Sequence, residues 1–255
     1  VGDAAHQVSP FGARGANSGF QDVDDLMWKL ALVMQGQASD KLLDTYAMDR
    51  QFAADENIMN STRSTDFITP KSRTSKTFRN QVLALAKHHP FARKLVNSGR
   101  LSVPSFLTSS LLNTPDAEAF EGNMVPGAPM DDAPVQVAGQ DAWLLDQVGN
   151  RFACLLFADA VPSAEMLAQL HASCRSAPLR ANGEPLQVMP LIVATRPLDI
   201  PGVKVIVDAQ GWIAKRYDGQ PGTTYLLRPD QHVVARWRQL DSTKVQQALA
   251  RATCN

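Results

Sequence analysis

Cysteine, charge imbalance and long apolar runs are what this sequence has least of. Cys154, Cys174 and Cys254 are its only cysteines in 255 residues. Their odd number and wide spacing argue against a disulfide framework and fit a reducing compartment, so a cytoplasmic location is expected. Lysine plus arginine equals aspartate plus glutamate at 25 each, which leaves no basic surplus for nucleic acid and no acidic tail. Apolar runs such as Leu30 to Met34 are far too short to span a bilayer, so no membrane partner is expected. No signal peptide stands out. Gly-x-Ser-x-Gly elbows, His-Glu-x-x-His pairs and Walker loops do not occur, and no metal site is expected. A hydrophobic content of 44% is that of an ordinary globular protein.

What is there begins at the first residue. Val1-Gly2-Asp3-Ala4-Ala5-His6 leads into Ser9-Pro10-Phe11-Gly12-Ala13-Arg14-Gly15-Ala16-Asn17-Ser18-Gly19. An amphipathic helix follows, with Phe20, Val23, Leu26, Met27, Leu30, Val33 and Met34 on one face. Asn17 or Ser18 is the expected cap, and Asp22, Asp24 and Asp25 fall where a helix dipole favours negative charge. A glycine-rich turn feeding a helix N-terminus can receive an anion or a polar oxygen, or it can simply turn the chain.

These residues, with Gln21-Asp22 and Leu26-Met27-Trp28-Lys29-Leu30, closely resemble the second FAD-binding motif of the flavin-dependent aromatic hydroxylases, the group of para-hydroxybenzoate hydroxylase and phenol hydroxylase. The resemblance implies FAD as cofactor, NAD(P)H as reductant and a small aromatic substrate. It implies that Asp3 accepts a hydrogen bond from the ribityl chain and that Gly2 lets the backbone pass close to it. Pro10 would lie beside the reactive edge of the flavin ring. Gly12 belongs to the glycine turn, and the amides of Gly15, Ala16 and Asn17 would hold the pyrimidine oxygen. No residue takes the part of a catalytic base. One departure concerns Asp25, where the family has Asn; a local effect on packing or capping is expected. A second is that the family's N-terminal GxGxxG unit is absent from the sequence. The chain therefore reads as the C-terminal portion of a longer flavoprotein, incomplete and inactive alone.

Further along, Ser39 can start a second helix through Leu42, Leu43 and Tyr46, with Asp49-Arg50 on a solvated face. Residues 71–87 suggest another helix, whose Lys71, Arg73, Lys76 and Arg79 form a solvated basic surface. His88-His89 lacks metal spacing and reads as a helix end. His6 is expected to make a structural hydrogen bond. Recurrent proline and glycine from residue 114 to 137 suggest a linker running over a surface.

Strand signals at 151–157, 186–193 and 203–207, a helix at 163–174, a hairpin from 224–227 to 232–237 and a closing helix at 242–252 follow. They fit a thioredoxin-like α/β sandwich, and Thr224 to Asp230 with Val234 to Trp237 resembles the thioredoxin-like domain of phenol-hydroxylase-type enzymes. Asp159-Ala160-Val161-Pro162 stands where a redox domain would have CxxC, and Cys174 and Cys254 have no neighbouring partner in the sequence.

The expected fold class is α/β: the C-terminal helical part of a para-hydroxybenzoate hydroxylase-like FAD-binding fold (1–113), a linker (114–137) and a thioredoxin-like domain lacking CxxC (138–255). The expected function is FAD-dependent hydroxylation of a phenolic substrate with NAD(P)H and O2. The alternative is a non-catalytic remnant acting as a binding or homodimer-forming module. A thiol redox role is the third option, and thiol counting addresses it. The denatured, unreduced chain should titrate three thiols, and two missing thiols would bring that option forward.

Overall fold

A computed structural model describes residues 1–8, 10, 14–96, 103–175 and 185–255. They form two compact units, residues 1–24 with 50–105 and residues 25–49 with 106–255. Helices α1 (Arg14–Met34) and α2 (Lys41–Ile68) each contribute to both.

The first unit adds α3 (Arg73–Ala86) and α4 (Pro90–Val96). Ser72 caps α3, accepting from the Ser75 N–H at 3.0 Å. The interior of this unit is small or polar: Arg14, Ser18, Asp22, Arg50, Ala53, Ala54, Asn57, Asn60 and Ser61 are buried. Phe20 is 74% exposed, and Phe78 and Phe91 are also exposed. The packed face of α1 in this unit is thus the polar one. The apolar stripe is uncovered here at Phe20 and Val23, since periodicity locates a stripe without saying what covers it. A groove of about 790 Å³ between α2, α3 and α4 is lined by Phe67, Ile68, Leu83 and Leu95 with Arg63 and Arg79. Of the expected basic surface, Lys71, Arg73 and Lys76 are exposed, while Arg79 is half-buried and donates to the Ile68 carbonyl at 3.0 Å.

The second unit is built on a seven-stranded sheet in the order β2-β1-β5-β4-β3-β6-β7. The strands are β1 (Pro134–Val137), β2 (Gln140–Trp143), β3 (Ala153–Phe157), β4 (Met189–Ala194), β5 (Lys204–Val207), β6 (Thr224–Leu227) and β7 (Val233–Trp237). β3, β4 and β5 are parallel, and the remaining pairings are antiparallel. Every residue of β3 is buried, as befits a central strand covered on both sides. Its side chains alternate: Cys154 and Leu156 join one core, Ala153, Leu155 and Phe157 the other.

Helices α5 (Ala164–Ser173) and α7 (Ser242–Ala252) supply Leu170, Val245 and Leu249 to the Cys154 side, with Trp28, Leu32 and Leu42. Ile213 and Tyr217, in and after the short α6 (Trp212–Arg216), fill the other side with Leu144 and Met124. The α5 and α7 starts are fixed by side-chain caps, Ser163 to the Met166 N–H and Asp241 to the Thr243 and Lys244 N–H groups.

Residues 114–137 run along β7. Thr114 N–H donates to the Val234 carbonyl at 2.9 Å and Gly127 N–H to the Val233 carbonyl at 2.7 Å. Phe120 lies 4.4 Å from the Arg236 guanidinium and 3.8 Å from that of Arg238. The segment also carries β1 and buries Met124, Ala128, Met130 and Ala133. Its prolines mark turns, and its apolar residues had been given too little weight.

Cys154 and Cys174 are neighbours, though far apart in sequence. A hydrogen bond between their thiols, together with burial, holds the Cys154 thiol well above its ordinary pKa. Such a thiol has little thiolate character.

A buried charge cluster joins residues 25–49 to the β6–β7 hairpin of this unit. Arg228 donates through Nη2 to Asp25 at 2.9 Å and through Nη1 to Asp49 at 3.2 Å, and it holds Asp230 through Nε at 2.9 Å and through Nη2. Lys29 donates to Asp25 at 2.8 Å and to Asp49 at 3.3 Å. Trp28 covers the cluster, its ring 5.4 Å from the Arg228 guanidinium and edge-on to Phe152 at 5.6 Å. Asp49 is therefore a structural ion-pair partner and Asp25 a long-range one. Neither belongs to a solvated face or acts only locally.

Three carboxylates face two fixed cations. Burial outweighs the pull of Arg228 and Lys29 on Asp25 and raises its pKa to about 6. Asp230 goes the other way: Arg228 beside it overcomes its burial and holds it well below the ordinary range. A folded-state pKa above the unfolded value means that the Asp25 contribution is full below about pH 4 and is lost as pH rises through about 6. Asp25→Asn removes that loss and leaves Asp230 common to both proteins. The stability difference, wild type minus variant, should fall by up to about 3 kcal/mol between pH 4 and pH 8 in urea melts. Parallel pH profiles would refute the Asp25 assignment.

Candidate cofactor site at the start of the chain

Gly2–Ala4 form a single 3-10 turn, closed by the Ala5 and His6 N–H groups donating to the Gly2 carbonyl at 2.8 and 3.0 Å. Gly2 has φ +61°, a backbone region that L side chains rarely adopt. No atom lies within 4 Å of the place where a Cβ would project, so bare backbone faces open space there. Asp3 is exposed beside it, and so is Pro10.

The turn is held by Asp22, one of the fully buried residues of α1. Asp22 Oδ2 accepts from the Gly2 N–H at 2.8 Å and lies 2.7 Å from His6 Nε2. Oδ1 accepts from Arg50 Nε at 2.7 Å. Burial raises the Asp22 pKa, but the hydrogen bonds from Arg50, Gly2 and His6 together exceed it and hold the carboxyl below its ordinary value. An ionised Asp22 requires the proton of a neutral His6 to sit on Nε2. Nδ1 of His6 is closed off from solvent and has no partner among the described residues. Gly19 brings α1 close: a Cβ there would stand 3.5 Å from the Gly2 Cα.

The helix begins at Arg14, earlier than the expected cap at Asn17 or Ser18. Ser18 is buried in the helix body. Gly15, Ala16 and Asn17 are thus helical and lie at the start of the described part of α1. Asp22, Asp24 and Asp25 fall beyond the first turn, too far along for the end of the dipole. Arg14 turns inward, its guanidinium donating to Asn57 and, at 3.1 Å, to the Val103 carbonyl. A Cβ at Gly15 would meet only the Val8 carbonyl oxygen at 3.9 Å. Gly12 lies outside the described residues. His6 makes the structural hydrogen bond expected of it.

The structure thus brings Gly2 and Asp3 to α1 through Asp22, and it places Gly15, Ala16 and Asn17 at the start of the described part of that helix. Sequence reasoning missed Asp22 and Arg50 as the groups doing this. The signal was present as polar residues at four-residue steps (Arg14, Ser18, Asp22) opposite an apolar face.

Residues 1–61 match the model of the FAD binding domain family FAD_binding_3. The 3-(3-hydroxy-phenyl)propionate/3-hydroxycinnamic acid hydroxylase of Escherichia coli (strain K12) is 29% identical over 238 residues, covering 92% of this chain and 41% of that protein. The protein of that name from Escherichia coli O139:H28 gives the same figures. The chain thus spans about two-fifths of the length of these curated relatives.

Among solved structures, the flavin-dependent monooxygenase PieE in complex with FAD and substrate matches with a TM-score of 0.71 at 21% identity, over 100% of this chain and 47% of that one. Aklavinone-11 hydroxylase with FAD and aklavinone gives 0.65 at 22%, over 100% and 43%. The fold is the mixed α/β fold of these proteins, and the expected likeness to FAD-dependent aromatic hydroxylases is borne out.

Gly15 is helical with room for a methyl group. Gly15→Ala should stabilise the unliganded chain by about 0.5–1 kcal/mol in urea melts. A loss of stability would mean that Val8 packs more tightly than the 3.9 Å gap indicates.

Proposed function

We propose that the opening of the chain holds FAD and that the protein containing it hydroxylates a small phenolic substrate with NAD(P)H and O2. The observation that carries this is a coincidence of place. The family match covers residues 1–61, and within them Asp22 ties the Gly2–Asp3 turn to α1, whose N-terminal residues include Gly15, Ala16 and Asn17. The residues present suit the group. Gly2 offers side-chain-free backbone to open space, where a ribityl chain can lie with a hydroxyl donating to Asp3. Gly15, Ala16 and Asn17 would hold the pyrimidine oxygen, Pro10 would flank the ring, and Gly12 would belong to the turn between. The helix N-terminus favours the negative charge of a reduced flavin at that end. Bound FAD would supply the redox and oxygen chemistry; the chain's residues bind it, orient it and neutralise its charge.

For the remainder of the chain we propose a thioredoxin-like domain at residues 138–255, with 1–113 as part of the FAD-binding fold. The sheet order β4-β3-β6-β7, with β6 antiparallel to β3 and α5 and α7 on one face, supports it. Without CxxC it serves packing or homodimer formation, for which Trp143 on edge strand β2, 53% exposed, is a suitable contact. A cytoplasmic location fits the free cysteines; among the described residues no helix is long and apolar enough to cross a membrane.

The test is the visible spectrum of the purified native protein and its titration with FAD. Flavin bands near about 375 and 450 nm and NAD(P)H oxidation stimulated by phenols are expected. A colourless protein that takes up no added FAD would end the proposal.

A further inference from the structure

We propose that Asp22 is the positioning residue of the cofactor site: its carboxylate sets the Gly2–Ala4 turn, and with it Asp3, against the N-terminal part of α1. This rests on the FAD placement above and concerns a residue that touches no cofactor itself.

Three donors from three places converge on one buried carboxylate. Gly2 N–H and His6 Nε2 reach Oδ2 from the turn and from just after it, and Arg50 Nε reaches Oδ1 from α2. Arg50 is fixed in turn, its Nη2 donating to the Ser18 carbonyl at 3.4 Å and to Gln21 Oε1 at 3.5 Å. A carboxylate is the side chain that fits, because both oxygens must accept and the guanidinium needs a counter-charge. The hydrogen bond to Gly2 holds a residue whose left-handed backbone has few other restraints, since nothing packs where its Cβ would be. Freed from Asp22, the turn can relax to commoner backbone angles and carry the Asp3 carboxylate away from its place beside α1. The effect on a ligand is indirect and conformational, and this separates Asp22 from the exposed Asp3.

Asn is close in shape to Asp, but Arg50 can only donate, so the amide oxygen turns to Arg50 and the NH2 group faces the Gly2–His6 pair. Asp22→Asn therefore loses at least one of the three hydrogen bonds. Gly2→Ala attacks the same turn from the other side, leaving Asp22, His6 and Arg50 untouched. Asp3→Asn is the control for direct contact.

FAD affinity of the full chain is measured by flavin fluorescence well below the melting temperature, alongside the melting curve without FAD. The histidine nitrogen resonances give the His6 tautomer independently of any ligand. Wild type should show the Nε2–H form of His6. Asp22→Asn should lose that signature and bind FAD about tenfold more weakly, the scale of one charge-assisted hydrogen bond. Gly2→Ala should weaken binding similarly with the His6 signature retained, and the strain of a side chain at φ +61° should lower the melting temperature only slightly.

If Asp3→Asn weakens binding while Asp22→Asn binds as wild type does, the positioning role is wrong and the FAD placement stands. If wild type binds no FAD, or Asp3→Asn binds as wild type does, the placement fails and the positioning role with it. Should Asp22→Asn fail to fold, Gly2→Ala decides: unchanged affinity overturns the proposal.

Discussion

A guanidinium sealed from water is the constraint on which the larger unit depends. Arg228 is fully buried, and a charge in that position is tolerated only with partners of opposite sign and filled hydrogen bonds. The partners come from three places in the chain, Asp25 in α1, Asp49 in α2 and Asp230 two residues along the hairpin. The helical segment 25–49 is thereby part of the sheet unit's interior, with Trp28, Leu32 and Leu42 in its apolar core. The cluster is specific in a way that apolar packing is not: a slip of one helical residue would leave a buried charge unpaired, at a typical cost of about 3–5 kcal/mol.

The two units solve burial differently. The sheet unit buries alternate apolar side chains on two faces and admits charge only where it is matched. The unit at the start of the chain packs Asp22, Arg50, Arg14 and Asn57 inward and leaves Phe20, Phe78 and Phe91 outside. Its order comes from hydrogen bonds of defined direction more than from area. Directional bonds suit a segment whose task is to hold a backbone turn in one conformation.

Much of the sheet unit was legible in the sequence because its signals are local. β3, β4, β6 and β7 announce themselves as short apolar runs between turn residues, and Ser163 and Asp241 mark the starts of α5 and α7. The glycine-rich opening was legible through its resemblance to a known motif. What escaped is what spacing cannot encode. Asp25 and Arg228 are 203 positions apart, and nothing near either names the other. Asp49-Arg50 looks like an ordinary surface pair until the fold turns both inward. The α1 stripe was legible only as a stripe: amphipathicity shows that a helix has two faces, and only tertiary structure says which one is covered.

The Asp22 carboxylate also imposes an order in time. Helices assemble from contacts a few residues apart, within about a microsecond in isolation. The Gly2 turn closes its own hydrogen bonds from Ala5 and His6, but its anchor is 20 positions away on α1, and that anchor is complete only when α2 has delivered Arg50. The turn can settle only after the two helices have met. The opening of the chain is thus a latecomer to the folded state, and its readiness to receive a ligand reports that the helices behind it are already paired.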